Sequence, residues 1–102
     1  MSLEDADRRP EMSSDQLADC RRRIDQLDVK LVELLNERTE IVHEIGRIKR
    51  HFSLPIYEPK REDQVFENVS SHNPGPLTGE ALKRIFERII DEMRTIQQKK
   101  MG

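Results

Sequence analysis

The fold is decided by residues 17–52, LADCRRRIDQLDVKLVELLNERTEIVHEIGRIKRHF. Apolar side chains recur at Leu17, Cys20, Ile24, Leu27, Leu31, Leu34, Ile41, Ile45, Ile48 and Phe52. The steps alternate between three and four, with one gap. That is a sustained heptad stripe, the pattern of a helix that associates along its length. Upstream, Ser13 and Gln16 have the spacing of a capping box, which marks a helix start. Downstream, Pro55 lacks the amide donor and restricts the residue before it, so the helix stops ahead of it. One helix is expected from about Ser14 to His51. At 1.5 Å per residue it is roughly 55 Å long, whereas a compact domain of this size has a radius of gyration of only about 13 Å. Its own chain cannot wrap it. The simplest partner for the stripe is a second copy, so homodimerisation is expected.

Two further helices follow. One starts near Glu58-Pro59, with proline suited to the first helical position, buries Val65, Phe66 and Val69, and ends near Ser71. The breaker cluster His72-Asn73-Pro74-Gly75-Pro76 comes next. The other is capped by Thr78, with Leu77 and Leu82 placed as a hydrophobic staple. Its apolar face is Leu82, Ile85, Phe86, Ile89, Ile90, Met93 and Ile96. No strand pattern is present. The expected fold class is all-α: three helices per chain, the first very long, in an intertwined helical homodimer. Residues 1–12 lack periodicity and read as a disordered lead. Residues 13–99 form the helical domain, and 100–102 a frayed tail.

Composition excludes several function classes. The 102 residues hold 18 Lys and Arg against 20 Asp and Glu, a net charge of −2. With no bulk positive field, and only three Phe and one Tyr, nucleic acid is not an expected partner. No apolar run approaches the roughly 20 residues of a membrane span. Met1 to Met12 has no apolar signal-peptide core. A single cysteine rules out a disulfide framework. His43, His51 and His72 have no ligand spacing to one another or to a carboxylate pair, so no metal is expected. The protein reads as cytoplasmic, without membrane contact. Cys20 sits in the stripe and reads as packing.

The gap in the stripe carries the chemistry. From Leu34 the stripe passes through Arg38 before reaching Ile41. Lys49 lies eleven residues on, nearly three full turns, and so on nearly the same face. Buried cations without partners are costly, so something anionic should meet them. Arg61 and Glu62 open the second helix, with Glu62 three before Val65 and four before Phe66. Gln97 stands seven after Ile90 and four after Met93, on the apolar face of the third. Taken alone, each has a plainer reading. Arg38 could fix the register of a helix pair, Lys49 could snorkel to solvent, Glu62 could complement the helix dipole, and Gln97 could simply fray. Together they place cations, a carboxylate and an amide on the inward faces of three helices. Such a pocket suits a small dianion that also bears a neutral polar group. It contains no obvious nucleophile.

These residues resemble the all-helical (AroQ-class) chorismate mutases. The resemblance covers about Leu17 to Gln98. Its blocks are Arg21-Arg22-Arg23-Ile24-Asp25-Gln26-Leu27-Asp28, Leu34-Leu35-Asn36-Glu37-Arg38 and Ile45-Gly46-Arg47-Ile48-Lys49. Pro55-Ile56-Tyr57-Glu58-Pro59-Lys60-Arg61-Glu62 follows, then Ile89-Ile90 and Gln97. The order and spacing of the blocks make the likeness specific.

The resemblance implies an intertwined homodimer with two equivalent sites. It also implies conversion of chorismate to prephenate, on the way to phenylalanine and tyrosine, without cofactor or covalent intermediate. By matching position, Arg38 would bind one substrate carboxylate, and Arg21 the other in the partner's site. Arg21 precedes Arg38 by 17 residues, about 25 Å along a helix, too far to share a site within one chain. Lys49 and Gln97 would donate to the ether oxygen, and Glu62 would accept from the substrate hydroxyl. Arg61 and Glu58 would complete the polar wall, while Ile45 and Ile90 would pack on the ring. Two positions depart from the family pattern. Met93 stands where a small hydroxyl residue is common, and Glu58 replaces a shorter Asp.

Three rivals stay open at this level. One is an isochorismate-pyruvate lyase on the same fold; such enzymes lack the pair written here Arg61-Glu62. Another is a non-catalytic regulatory module, since family domains are fused to, or act on, the first enzyme of the aromatic pathway. That enzyme is thus a candidate partner. The last is a plain coiled-coil protein, for which Arg38→Leu should stabilise the dimer.

Overall fold

The computed structural model describes residues 14–101, with side chains as far as Lys99. The expected lead at 1–12, Ser13 of the capping box and Gly102 lie outside the described residues. Three helices are present: α1 (Ser14–His51), α2 (Pro59–Ser71) and α3 (Gly79–Met101). No strand occurs among the described residues. The chain divides into two units, residues 1–37 and 38–102.

In the first unit, α1 bears an uncovered apolar stripe. Leu17, Ile24, Leu27, Leu31 and Leu34 are all more than half exposed, Leu34 at 60%. Cys20, placed by its register among packing residues, is likewise exposed, with its Sγ 3.4 Å from the Arg23 guanidinium. Asp19 pairs with Arg22 at 2.5 Å and with Arg23 at 3.3 Å, on the surface. Exposed pairs at this spacing add little to stability, because solvent screens them. Nothing among the described residues of this stretch buries its leucines.

In the second unit, α1 ends in a Schellman turn. The Ser53 amide donates to the Arg50 carbonyl at 3.3 Å, and the Leu54 amide to the Lys49 carbonyl at 2.7 Å. This bond pair requires a left-handed residue after the helix, and Ser53 takes it with φ 55°. The turn therefore stops the helix, and Pro55 follows where no helix could continue. A serine there carries a steric cost that glycine lacks, partly offset by glycine's greater chain entropy. Ser53→Gly is expected to raise stability by about 0.5–1 kcal/mol, read as an upward shift of the urea midpoint at unchanged slope.

Pro59 opens α2, and Glu58 at its N-cap makes no side-chain cap bond. The α2–α3 turn is held by Asn73, whose Oδ1 accepts from the Gly75 amide at 3.0 Å and whose Nδ2 donates to the Leu77 carbonyl at 2.8 Å. Gly75 has φ 79°, a conformation suited to glycine. Thr78 caps α3 as expected: its Oγ1 accepts from the Ala81 amide at 3.1 Å. α2 packs against α3, with Lys83 over the Phe66 ring. Val65, Phe66 and Val69 are half-buried, as are Leu82, Phe86, Ile89 and Ile90. The apolar core is thin. Val42 and Met93 are buried, and beside them so are Lys49 and Gln97, each 8% exposed. An ammonium and an amide are thus buried at the centre of so small a core.

Candidate active site

The second unit encloses a cavity of about 360 Å3, within the size range of small-molecule sites. Each helix contributes one wall. From α1 come Arg38, Ile41, Val42, Ile45 and Lys49; from the α1–α2 turn, Ile56 and Glu58; from α2, Arg61, Glu62 and Val65; from α3, Ile90, Met93, Arg94 and Gln97. Every site residue expected from the sequence lines it except Arg21. Arg21 belongs to the first unit, where it is exposed.

The spacing on α1 explains the first wall. Arg38, Val42, Ile45 and Lys49 follow one another at steps of four, three and four, so their side chains stack along one face. Lys49 is the last of them, and the Schellman turn folds the following segment back beneath it. Its Nζ donates to the Ile56 carbonyl at 2.9 Å and pairs with Glu58 Oε1 at 2.7 Å. An ammonium has three N–H donors; two are engaged, and the third remains. Gln97 is held in the same manner. Its Nε2 donates to the Val42 carbonyl at 3.3 Å, leaving one amide N–H unspent. One turn before Gln97 on α3, Met93 accepts through its Sδ from Thr39 Oγ1 at 3.5 Å.

The charges are distributed unevenly. Four cations, Arg38, Lys49, Arg61 and Arg94, face two carboxylates, Glu58 and Glu62. Lys49 is paired with Glu58. Arg94 is paired with Glu62. Arg38 and Arg61 make no ion pair among the described residues. Burial, and secondarily the like charge of Arg61, lower the Arg38 pKa below its ordinary value. Two unneutralised guanidiniums in one cavity form a receptor for an anion. Arg94 was not among the residues singled out from the sequence. The signal was available, because Arg94 is four after Ile90 and three before Gln97, within reach of the same face. Among the described residues, no group of His, Cys, Asp and Glu is placed to hold a metal ion. No helix there is long and apolar enough to cross a membrane.

Comparison with known proteins gives a consistent answer. Residues 20–98 match the family described as Chorismate mutase type II. Among solved structures, the chain is similar to chorismate mutase from Helicobacter pylori in complex with prephenate. The two share 34% identity and a TM-score of 0.78, over 84% of this chain and 93% of that one. It is also similar to chorismate mutase (form II) from Thermus thermophilus, with 30% identity and a TM-score of 0.80, over 81% of this chain and 94% of that one. A bifunctional chorismate mutase/prephenate dehydratase of Aquifex aeolicus is 35% identical over 89 residues, covering 83% of this chain. The chain spans only 25% of that relative's length. With three helices, a cationic cavity between them and a family match across most of its length, the chain belongs to the type II chorismate mutases.

Proposed function

We propose that the protein is a cytoplasmic chorismate mutase that works as a homodimer and converts chorismate to prephenate without a cofactor. One observation carries the reading. Arg38 and Arg61 stand without ion partners among the described residues, in a cavity whose other two cations are already neutralised. Chorismate is a dianion with a hydroxyl and an ether oxygen, and each has a counterpart here. Arg38 binds one carboxylate, and the partner's Arg21 binds the other. Arg61 and Glu58 complete the polar wall. Glu62 accepts from the hydroxyl, while Ile45 and Ile90 pack on the ring. Met93 offers no hydroxyl to a carboxylate and supplies only apolar surface.

The reaction is a rearrangement within one bound molecule. Holding the substrate in its compact conformer removes an entropic part of the barrier. The rest comes from charge that grows on the ether oxygen as the C–O bond breaks. Lys49 and Gln97 each have a spare N–H and an anchored position. Donors fixed beforehand stabilise that charge without reorganising when it appears. The uncovered stripe of α1 supports the homodimer, because a second copy supplies a matching apolar face.

The test is to follow loss of the chorismate diene absorbance with purified protein and to identify the product. Prephenate is expected. Turnover of isochorismate to pyruvate in its place would favour the lyase. Inactivity that is relieved by the first enzyme of the aromatic pathway would favour a regulated partner module.

A further inference from the structure

We propose that Arg94 is a positioning residue that sequesters the Glu62 carboxylate and so keeps Arg38 and Arg61 free to receive an anionic substrate. The inference rests on the functional reading above and deepens it. Arg38 and Arg61 attract any carboxylate that can reach them. Glu62 is adjacent to Arg61 on α2 and lines the same cavity. A glutamate released there would neutralise the receptor from within and compete with substrate for it.

Arg94 prevents this by its own fixed geometry. Its Nη2 donates to Glu62 Oε2, in a pair whose two side chains are each about three-quarters buried, at 28% and 25% exposure. Its guanidinium lies 4.8 Å from the centroid of the Tyr57 ring, and Nη1 is 3.8 Å from Asp91 Oδ1 at the exposed rim. The tyrosine face and the rim aspartate therefore hold the fork in place while it holds Glu62. A planar guanidinium can lie on a ring and hold a carboxylate with its fork at once. The pairing takes Oε2 and leaves Oε1 without a hydrogen bond among the described residues, available to a hydroxyl donor. Arg94 thus sets the place of Glu62 and leaves Arg38 and Arg61 unneutralised.

The test compares prephenate affinity by calorimetry for the wild type, Arg94→Met, Glu62→Gln and Arg94→Met/Glu62→Gln, with recovery in the double variant read against Glu62→Gln alone and chorismate turnover by the wild type as the reference. Arg94→Met is expected to weaken prephenate binding about tenfold, equivalent to about 1.4 kcal/mol. Adding Glu62→Gln is expected to recover most of that loss, because the competing charge is gone. A purely structural role for Arg94 gives no recovery, since the second substitution repairs no packing. Should the methionine variant not fold, Arg94→Gln with and without Glu62→Gln makes the same comparison, since it too removes the cation that holds Glu62. An active wild type whose affinity is unchanged by the Arg94 substitution, or not recovered in the double variant, overturns the inference alone. A wild type that neither turns over chorismate nor binds prephenate overturns the functional reading, and this inference with it.

Discussion

Replacing Lys49 by alanine is expected to slow the conversion of chorismate by a factor of about 100 to 1,000, roughly 3 kcal/mol of lost transition-state stabilisation. The size follows from how the ammonium is held. Its two protein bonds, to the Ile56 carbonyl and to Glu58, fix the direction of the remaining N–H. Water could supply a donor in its place, but only by reorganising during the reaction. The effect on folding should be much smaller. Glu58 is about half exposed and is resolvated when its partner is lost. The measurement is kcat for the variant beside its thermal unfolding. A near-normal kcat in a folded variant would falsify the assignment of Lys49 to the ether oxygen.

Arg38→Leu should separate activity from stability in opposite directions. Arg38 is half-buried, has no ion partner among the described residues and feels the like charge of Arg61. Replacing such a cation by an apolar side chain removes a desolvation cost, and a gain of about 1 kcal/mol in stability is expected. Activity should collapse, because half of the anion receptor is gone. Removal of one partner of a desolvated charge pair typically costs about 2–5 kcal/mol, which corresponds here to a KM raised by at least about thirtyfold. A stabilised variant with normal KM would place the substrate carboxylate elsewhere. A destabilised one would show that the arginine stem packs in the fold in a way leucine does not replace.

The helices were legible because their signals are local. A heptad stripe, a proline at the first turn of α2 and a threonine cap on α3 give boundaries within a residue or so of those observed. Arg38, Lys49, Glu62 and Gln97 were legible for a different reason. Each interrupts an apolar face, and a helix face that buries its neighbours must bury the interruption too. The anchoring of these groups was not legible. Lys49 binds a backbone carbonyl seven residues away, and which carbonyl it meets depends on the path of the turn. That path is set by Ser53 in a left-handed conformation, which a serine does not announce. Arg94 was hidden because it sits between Met93 and Ile96, which carry the apolar series past it. The long arginine then looks like a solvated flank, although its side chain reaches back into the cavity.

The bare leucines of α1 have a consequence beyond the site. In the proposed homodimer that helix buries its stripe against a second copy and does not reach its full stability alone, so dilution would act as a denaturant for such a protein. Its melting temperature should climb with the logarithm of protein concentration, as it does whenever folding is linked to association. In a cell, the amount of enzyme present would then fix not only how much activity there is but what fraction of the chains is intact.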